Sequence, residues 1–238
     1  MGLYIILMGV QGAGKGEQAK YISQSYGIPH VSTGDLFRAM KTRTDALAQR
    51  IQGILAAGNL VDDETTNEMV RERLSQDDAK HGVILDGYPR TPAQAEWLDR
   101  YLQSRGERIG VVLLLQLDLY SAFKRAFGRV TDSETGKSYN IYYNSGGIDW
   151  KFVDHPTDKQ FPPRLLATLR QGGRELTRRS DDGSAHAVLT RIDTYTEQTR
   201  PLIAYYDQQN VVARVNADQT IEQVGSDIRQ VIQAAQGK

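Results

Sequence analysis

The sequence predicts an α/β fold: a P-loop parallel five-stranded sheet with helices on both faces. Three observations carry this expectation. Apolar runs at Leu3–Met8, Gly82–Asp86, Val111–Leu115 and Val211–Val215, with a short extended stretch at His30–Ser32, supply five strands, and the central runs lack the alternation of a half-exposed sheet. Helix-period segments separate the strands, as parallel crossovers require. The first run leads directly into Gly9-Val10-Gln11-Gly12-Ala13-Gly14-Lys15-Gly16-Glu17, two glycines five apart and then a lysine, which is the strand–loop–helix signature of a phosphate-binding loop.

The elements follow in order. Residues 15–25 read as a helix broken by Gly27-Ile28-Pro29. Ser32-Thr33-Gly34-Asp35-Leu36-Phe37-Arg38 opens another, with Thr33 or Asp35 placed to cap it. Leu47, Ile51, Ile54 and Leu55 give residues 44–57 helical spacing up to Gly58. Asp62-Asp63-Glu64 then places acids where the next helix dipole favours them. Gly82–Gly87 reads as a buried strand tipped by Asp86, and Thr91-Pro92-Ala93-Gln94 as an N-cap, a first-turn proline and a capping-box glutamine. Residues 119–127 are helical. From about 130 to 183 apolar periodicity disappears, while tyrosines, Trp150 and phenylalanines remain, predicting a small β or irregular insertion. A long helix over 185–208, the last strand and a closing helix from Ile221 complete the chain.

Composition narrows the functional classes. Lys+Arg and Asp+Glu number 29 each, so no global field favours nucleic acid or an anionic membrane. There is no cysteine, which excludes disulfides, thiolate zinc sites and thiol chemistry. His30, His81, His155 and His186 show no metal-type spacing and read as structural or surface groups. No apolar run reaches membrane-spanning length and the amino terminus enters a strand at once, so a cytoplasmic location is expected. The glycines of the loop let backbone N–H groups of Gly12, Ala13, Gly14 and Gly16 aim inward at phosphate, while Lys15 adds a mobile charge at a helix N-terminus. Lys15 is followed by Gly16 and Glu17 rather than the usual Ser or Thr, so a magnesium ion must be held from elsewhere, through water.

Four further stretches occur in order: Thr33–Arg38, Gly58-Asn59-Leu60-Val61-Asp62-Asp63-Glu64, Leu85-Asp86-Gly87-Tyr88-Pro89-Arg90-Thr91 and Leu176–Asp182, followed by Arg191 and Thr199–Tyr206. Together with the loop, this set resembles the adenylate kinases, and more broadly the nucleoside monophosphate kinases, over nearly the whole chain. The chemistry suits the residues. Transfer between two nucleotides gathers about five or six negative charges in a dry site, and catalysis there is mostly positioning and neutralisation. Arginine serves because its planar fork grips phosphate oxygens and stays charged when desolvated. Arg38, Arg90, Arg125, Arg129, Arg179 and Arg191 are the candidates.

The resemblance implies transfer of the terminal phosphoryl group of Mg·ATP to AMP, giving two ADP; a kinase for UMP or CMP, or a non-catalytic adenine-nucleotide binder, are the alternatives. It implies that Gly12 to Glu17, Arg125, Arg129, Ser138 and Tyr139 bind ATP. Thr33, Arg38, Asn59, Leu60, Val61, Gly87, Tyr88, Pro89, Arg90 and Gln94 would bind AMP, with Arg179 and Arg191 spanning both nucleotides. Gln94 keeps a competing role, bonding back to Thr91 in the capping box. It implies a catalytic set of Lys15, Asp86, Arg90, Arg125, Arg129, Arg179 and Arg191, with Asp86 orienting Mg²⁺ through water and no direct protein ligand. Residues 32–61 would be the monophosphate-binding segment and 128–182 a lid, inserted in a core of 1–31, 62–127 and 183–238. A monomer acting on free ATP, AMP and ADP is expected, without nucleic acid, membrane or structural zinc. Several residues depart from the family pattern. The lid lacks four zinc cysteines and must hold itself by packing and hydrogen bonds, residues 143–175 match no usual lid, Val130 replaces a common arginine, and Glu17 stands where a threonine is usual.

Overall fold

Five strands in parallel register form the central sheet. A computed structural model describes residues 2–57, 61–154, 164–179 and 182–237. In chain order the elements are β1 (Leu3–Gly9), α1 (Lys15–Tyr26), β2 (His30–Ser32), α2 (Thr33–Met40), α3 (Ala46–Ala56), α4 (Asp63–Leu74), β3 (Gly82–Asp86), α5 (Pro92–Gln103) and β4 (Ile109–Gln116). There follow α6 (Leu119–Phe127), β5 (Arg129–Thr131), β6 (Ser138–Asn140), β7 (Ile148–Val153), β8 (Arg164–Leu169), α7 (Ala185–Asp207), β9 (Val212–Asn216) and α8 (Ile221–Gln236). The chain divides into two units: residues 1–9, 14–116 and 197–238, and residues 10–13 with 117–196.

In the first unit the sheet runs β2-β3-β1-β4-β9, all pairs parallel. The expected fold class holds. Residues 4 to 8 of β1 are at most 5% exposed, which explains why the run is apolar at every position rather than at alternate ones. Each fully buried aliphatic side chain there contributes roughly 1.5–3 kcal/mol. Tyr4, Ile6 and Met8 pack with Val83, Leu85, Leu98, Leu102, Val112, Leu202 and Tyr206 in the main core. A smaller cluster joins Met40, Ala48, Ile51 and Met69, with Val61 against it. Register places Asp86 opposite both Leu7 of β1 and Ser32 of β2, so the acid sits at the carboxyl edge of the sheet, where ligands of open α/β sheets bind.

The cap of α2 differs from expectation. Ser32, not Thr33 or Asp35, is the N-cap, its hydroxyl accepting from the Asp35 amide. Thr33 is thereby left with its side chain buried and its hydroxyl donating to the Gly87 carbonyl at 2.9 Å. The expected stop at Gly58, with Asn59 and Leu60, lies outside the described residues.

The second unit confirms that the aperiodic stretch is β-rich. Strands β5 and β6 pair antiparallel, as do β7 and β8, over a core of Val130, Tyr139, Ile141, Ile148, Leu165, Ala167 and Leu176. An ionic knot ties this unit together. The buried Asp132 accepts from Thr135 Oγ1 at 2.7 Å, from the Glu134 amide at 3.1 Å and from Arg174 Nη2 at 2.6 Å, while Arg174 also pairs with Glu134. Arg174 holds two carboxylates in a fixed fork, a geometry that lysine could not supply.

Candidate functional site

On the first unit, the loop after β1 delivers its last glycine, Gly14, at φ 87° as the N-cap of α1, with no side-chain cap. The helix start thus carries no side-chain cap, and the positive end of its dipole lies at the loop, the arrangement that attracts anions. Lys15, the first helical residue, donates from Nζ to the Gly9 carbonyl at 2.6 Å, folding its ammonium back over the loop. Glu17 leans along the helix, its carboxylate 3.8 Å from Lys20 Nζ, with both side chains largely exposed. Its backbone N–H donates to Gly14 O within the first turn.

Asp86 closes β3 with its carboxylate 17% exposed and 3.3 Å from His30 Nε2. Burial opposes its ionisation, yet the His30 contact and the nearby charges of Lys15, His30 and Arg90 outweigh burial and hold the carboxyl below its usual range. A carboxylate kept ionised at a sheet edge suits a cation bound through water, and no cluster of three or more metal-ligating side chains exists among the described residues. Asp86 adds stability that is fully present above the unfolded carboxyl value of 3.8 and is lost as pH falls through the lower folded value. The stability gap between the wild type and Asp86→Asn, read by urea melts, should accordingly be constant near neutrality and close progressively below about pH 4.

Beyond Asp86 the chain turns through Gly87, whose φ is 76° and where an added Cβ would lie 2.9 Å from Thr33 Oγ1. Only glycine fits this turn without strain. Tyr88 is buried, its phenol donating to Asn67 Oδ1 and pushed well above its normal range by desolvation; Pro89 is buried beside it. Arg90 is exposed and donates from Nε to the Gly87 carbonyl. Arg38 is exposed too, paired with Asp35 one turn away on α2. Gln94 is 5% exposed, and its carboxamide does not reach back to Thr91. Thr91 Oγ1 accepts the Gln94 amide as expected, but the glutamine oxygen accepts from the Arg90 amide and its nitrogen donates to Asp63. Half of the expected capping box forms.

On the second unit, Gly12 lies at φ 87° with an added Cβ only 2.8 Å from the Ala122 carbonyl and 3.0 Å from Arg125 Cβ, so this glycine lets the loop lie directly on α6. Gln11 fixes the same stretch by donating to the Val188 carbonyl at 2.6 Å. Arg125 sits near the end of α6 with its guanidinium 5.8 Å from the Tyr143 ring centroid, and Lys124 lies over the rings of Tyr120 and Tyr143. Arg129 and Arg191 converge on one acid: Asp182, 1% exposed, accepts from Arg129 and, at 2.9 Å, from Arg191 Nη1. Of the adjacent pair, Arg178 is the structural one. It lies over the Phe127 ring and donates to the Phe127 and Gly183 carbonyls, while Arg179 is exposed. Ser138 is exposed, whereas Tyr139 is buried in the small core of this unit, opposite Val130 in the β5–β6 pair.

Three residues that sequence reasoning passed over stand against the candidates: His30 on Asp86, Asp182 on Arg129 and Arg191, and Asp63 on Gln94. Asp182 was within reach, since it ends the Arg178-Arg179-Ser180-Asp181-Asp182 motif; the other two had no local signal.

The sequence model of the adenylate kinase family matches residues 7–211. The chain is 40% identical to an adenylate kinase of Clostridium acetobutylicum over 228 residues, covering 96% of this chain and 98% of that protein. It is 38% identical to an adenylate kinase of Symbiobacterium thermophilum over 98% of this chain and 100% of the other, and 36% identical to one from Listeria monocytogenes over 96% and 98%.

Proposed function

The chain belongs to the adenylate kinase family, and on that premise we propose that it transfers the terminal phosphoryl group of Mg·ATP reversibly to AMP, yielding two ADP. The observation that carries this reading is the carboxyl edge of the sheet. There the start of α1, which has no side-chain cap, together with Lys15 and Arg90 brings positive potential to bear around the ionised Asp86. Such an edge suits polyphosphate and a divalent cation together.

The division of labour follows the chemistry. Lys15 and the loop amides from Gly12 to Glu17 hold the donor phosphates; Arg125, Arg129, Ser138 and Tyr139 hold the rest of ATP. Arg38 and Arg90 neutralise the acceptor phosphate, and Thr33, Val61 and Gln94 line its base with Gly87, Tyr88, Pro89 and the stretch at Asn59-Leu60. Arg179 and Arg191 act on the phosphoryl group in flight. Magnesium, arriving with ATP, supplies charge neutralisation at the transferred group, and Asp86 would hold it through water. Residues 32–61 serve as the monophosphate-binding segment and 128–182 as a lid whose closure excludes competing water. The protein works as a cytoplasmic monomer on free nucleotides; no helix of the described residues is long and apolar enough to cross a membrane.

Purified protein given Mg·ATP and a panel of monophosphates tests the reading. AMP should be the preferred acceptor, with two ADP formed per AMP consumed. A preference for UMP or CMP, or nucleotide binding without ADP formation, would replace it with one of the two alternatives.

Glu17 gives a second check. A carboxylate this close to donor phosphates weakens their binding by about 1 kcal/mol, one screened charge contact. Glu17→Thr should lower the KM for Mg·ATP about fivefold and leave kcat within twofold; an unchanged KM would mean that Glu17 stays turned toward Lys20 during binding.

A further inference from the structure

Gln94 is held by two partners of opposite and fixed character. Its oxygen accepts from the Arg90 backbone N–H at 2.7 Å, and a backbone N–H is only ever a donor. Its nitrogen donates to Asp63 Oδ1 at 2.7 Å, and an ionised carboxylate is only an acceptor. The second Asp63 oxygen accepts from Thr91 Oγ1 at 2.8 Å, and that hydroxyl in turn accepts the Gln94 backbone amide at 3.1 Å. Asp63 is the first residue of α4, where the helix dipole favours its charge. A glutamine on an open surface presents its two ends interchangeably. This one does not, since turning the carboxamide over would set N–H against N–H and oxygen against carboxylate.

A carboxamide has two N–H donors and two oxygen lone pairs. Each partner occupies one of them, so one donor and one acceptor remain, in a fixed left–right order. That order distinguishes bases. A base with an exocyclic amino group beside a bare ring nitrogen needs oxygen opposite the amino group and N–H opposite the ring nitrogen. A base with a carbonyl beside a protonated ring nitrogen needs the reverse.

We propose that Asp63 is a positioning residue for acceptor specificity: by locking the Gln94 carboxamide in one orientation, it makes the site read an amino group beside an unprotonated ring nitrogen and reject the oxo, ring-protonated pair. This rests on the adenylate kinase reading and on Gln94 facing the acceptor base. Asp63 is bonded to Gln94 and Thr91, and its effect on the base is exerted through the Gln94 carboxamide.

The discriminating pair is AMP and IMP, which differ at those two positions of the purine. The measured quantity is the ratio of kcat/KM for AMP to that for IMP, with Mg·ATP saturating. Because the ratio is internal to each variant, a general loss of active protein cancels from it. Asp63→Ala removes one of the two partners that orient the carboxamide, leaving the Arg90 N–H alone to hold it, and should narrow the ratio about tenfold. Asp63→Asn keeps an oxygen facing Gln94 and should hold the ratio within about threefold of wild type. Should Asp63→Ala fail to fold, Asp63→Ser, too short to reach Gln94 in the same way, should narrow the ratio alike. Gln94→Leu separates the roles of the two residues. A ratio that collapses in Gln94→Leu but is unchanged in Asp63→Ala or Asp63→Ser overturns the role of Asp63 alone. A ratio unchanged in Gln94→Leu overturns the proposal through its premise about Gln94. Absence of ADP formation from AMP in the wild type would instead overturn the functional reading itself.

Discussion

Lys15→Met should lower kcat by about a thousandfold while leaving the melting temperature within a few degrees of wild type. Lys15 belongs to α1 but contributes nothing to the apolar core; its ammonium lies against the Gly9 carbonyl of its own loop. A methionine keeps the length and much of the bulk, so the fold should tolerate it. What disappears is a mobile positive charge at the place where negative charge accumulates during transfer. Loss of a single preorganised electrostatic group in such a site costs about 10²–10³ in rate. Steady-state kinetics with both substrates varied, alongside a thermal melt, checks the point. A fall in kcat of less than tenfold would remove Lys15 from the transition state and leave it a role in ground-state binding only.

Asp182→Ala should damage stability and catalysis together. The carboxylate is 1% exposed and holds the guanidinium of Arg129, itself 22% exposed, and that of Arg191, 37% exposed. Removing an acid from a buried pair costs about 3–5 kcal/mol because charge is left uncompensated; the partial exposure of Arg191 reduces this, and about 2–3 kcal/mol is expected here. Both arginines lose the group that aims them, so kcat should fall about a hundredfold or more. Asp182→Asn keeps an acceptor oxygen for one guanidinium and should retain more of both quantities. Denaturant unfolding and initial rates on the same preparations decide it. An Asp182→Ala protein with wild-type kcat would show that the two arginines need no common anchor.

Much of this molecule was legible because its signals are local. The apolar β1, the glycines after it and Lys15 are contiguous, and so are the cap, proline and hydroxyl contact that start α5. Asp86 was readable because a carboxylate at the tip of a buried apolar strand is costly unless a cation meets it. Long-range pairing was not legible. Arg129 and Asp182 are separated by 53 residues and His30 and Asp86 by 56; topology brings each pair together, and no spacing rule announces it. The Gln94 contacts were hidden for a subtler reason: the capping-box pattern was present, but Asp63, 31 residues away, offered the glutamine nitrogen a charged partner, and the Arg90 amide took its oxygen. In the second unit, β character could be read from aromatic content, while the ionic knot of Asp132, Glu134 and Arg174 had no sequence pattern of its own.

In the proposed reaction, cations of both units act on one transferred phosphoryl group. A double-mutant cycle between Arg90 of the first unit and Arg129 of the second, with lysine and then alanine at each position and kcat/KM for ADP formation as readout, tests it directly. Residues that serve the same transition state are strongly non-additive, so the double alanine variant should lose far less than the product of the two single losses, with a coupling above about 1 kcal/mol. Single losses that multiply in full, as for distant and independent sites, would contradict the shared role.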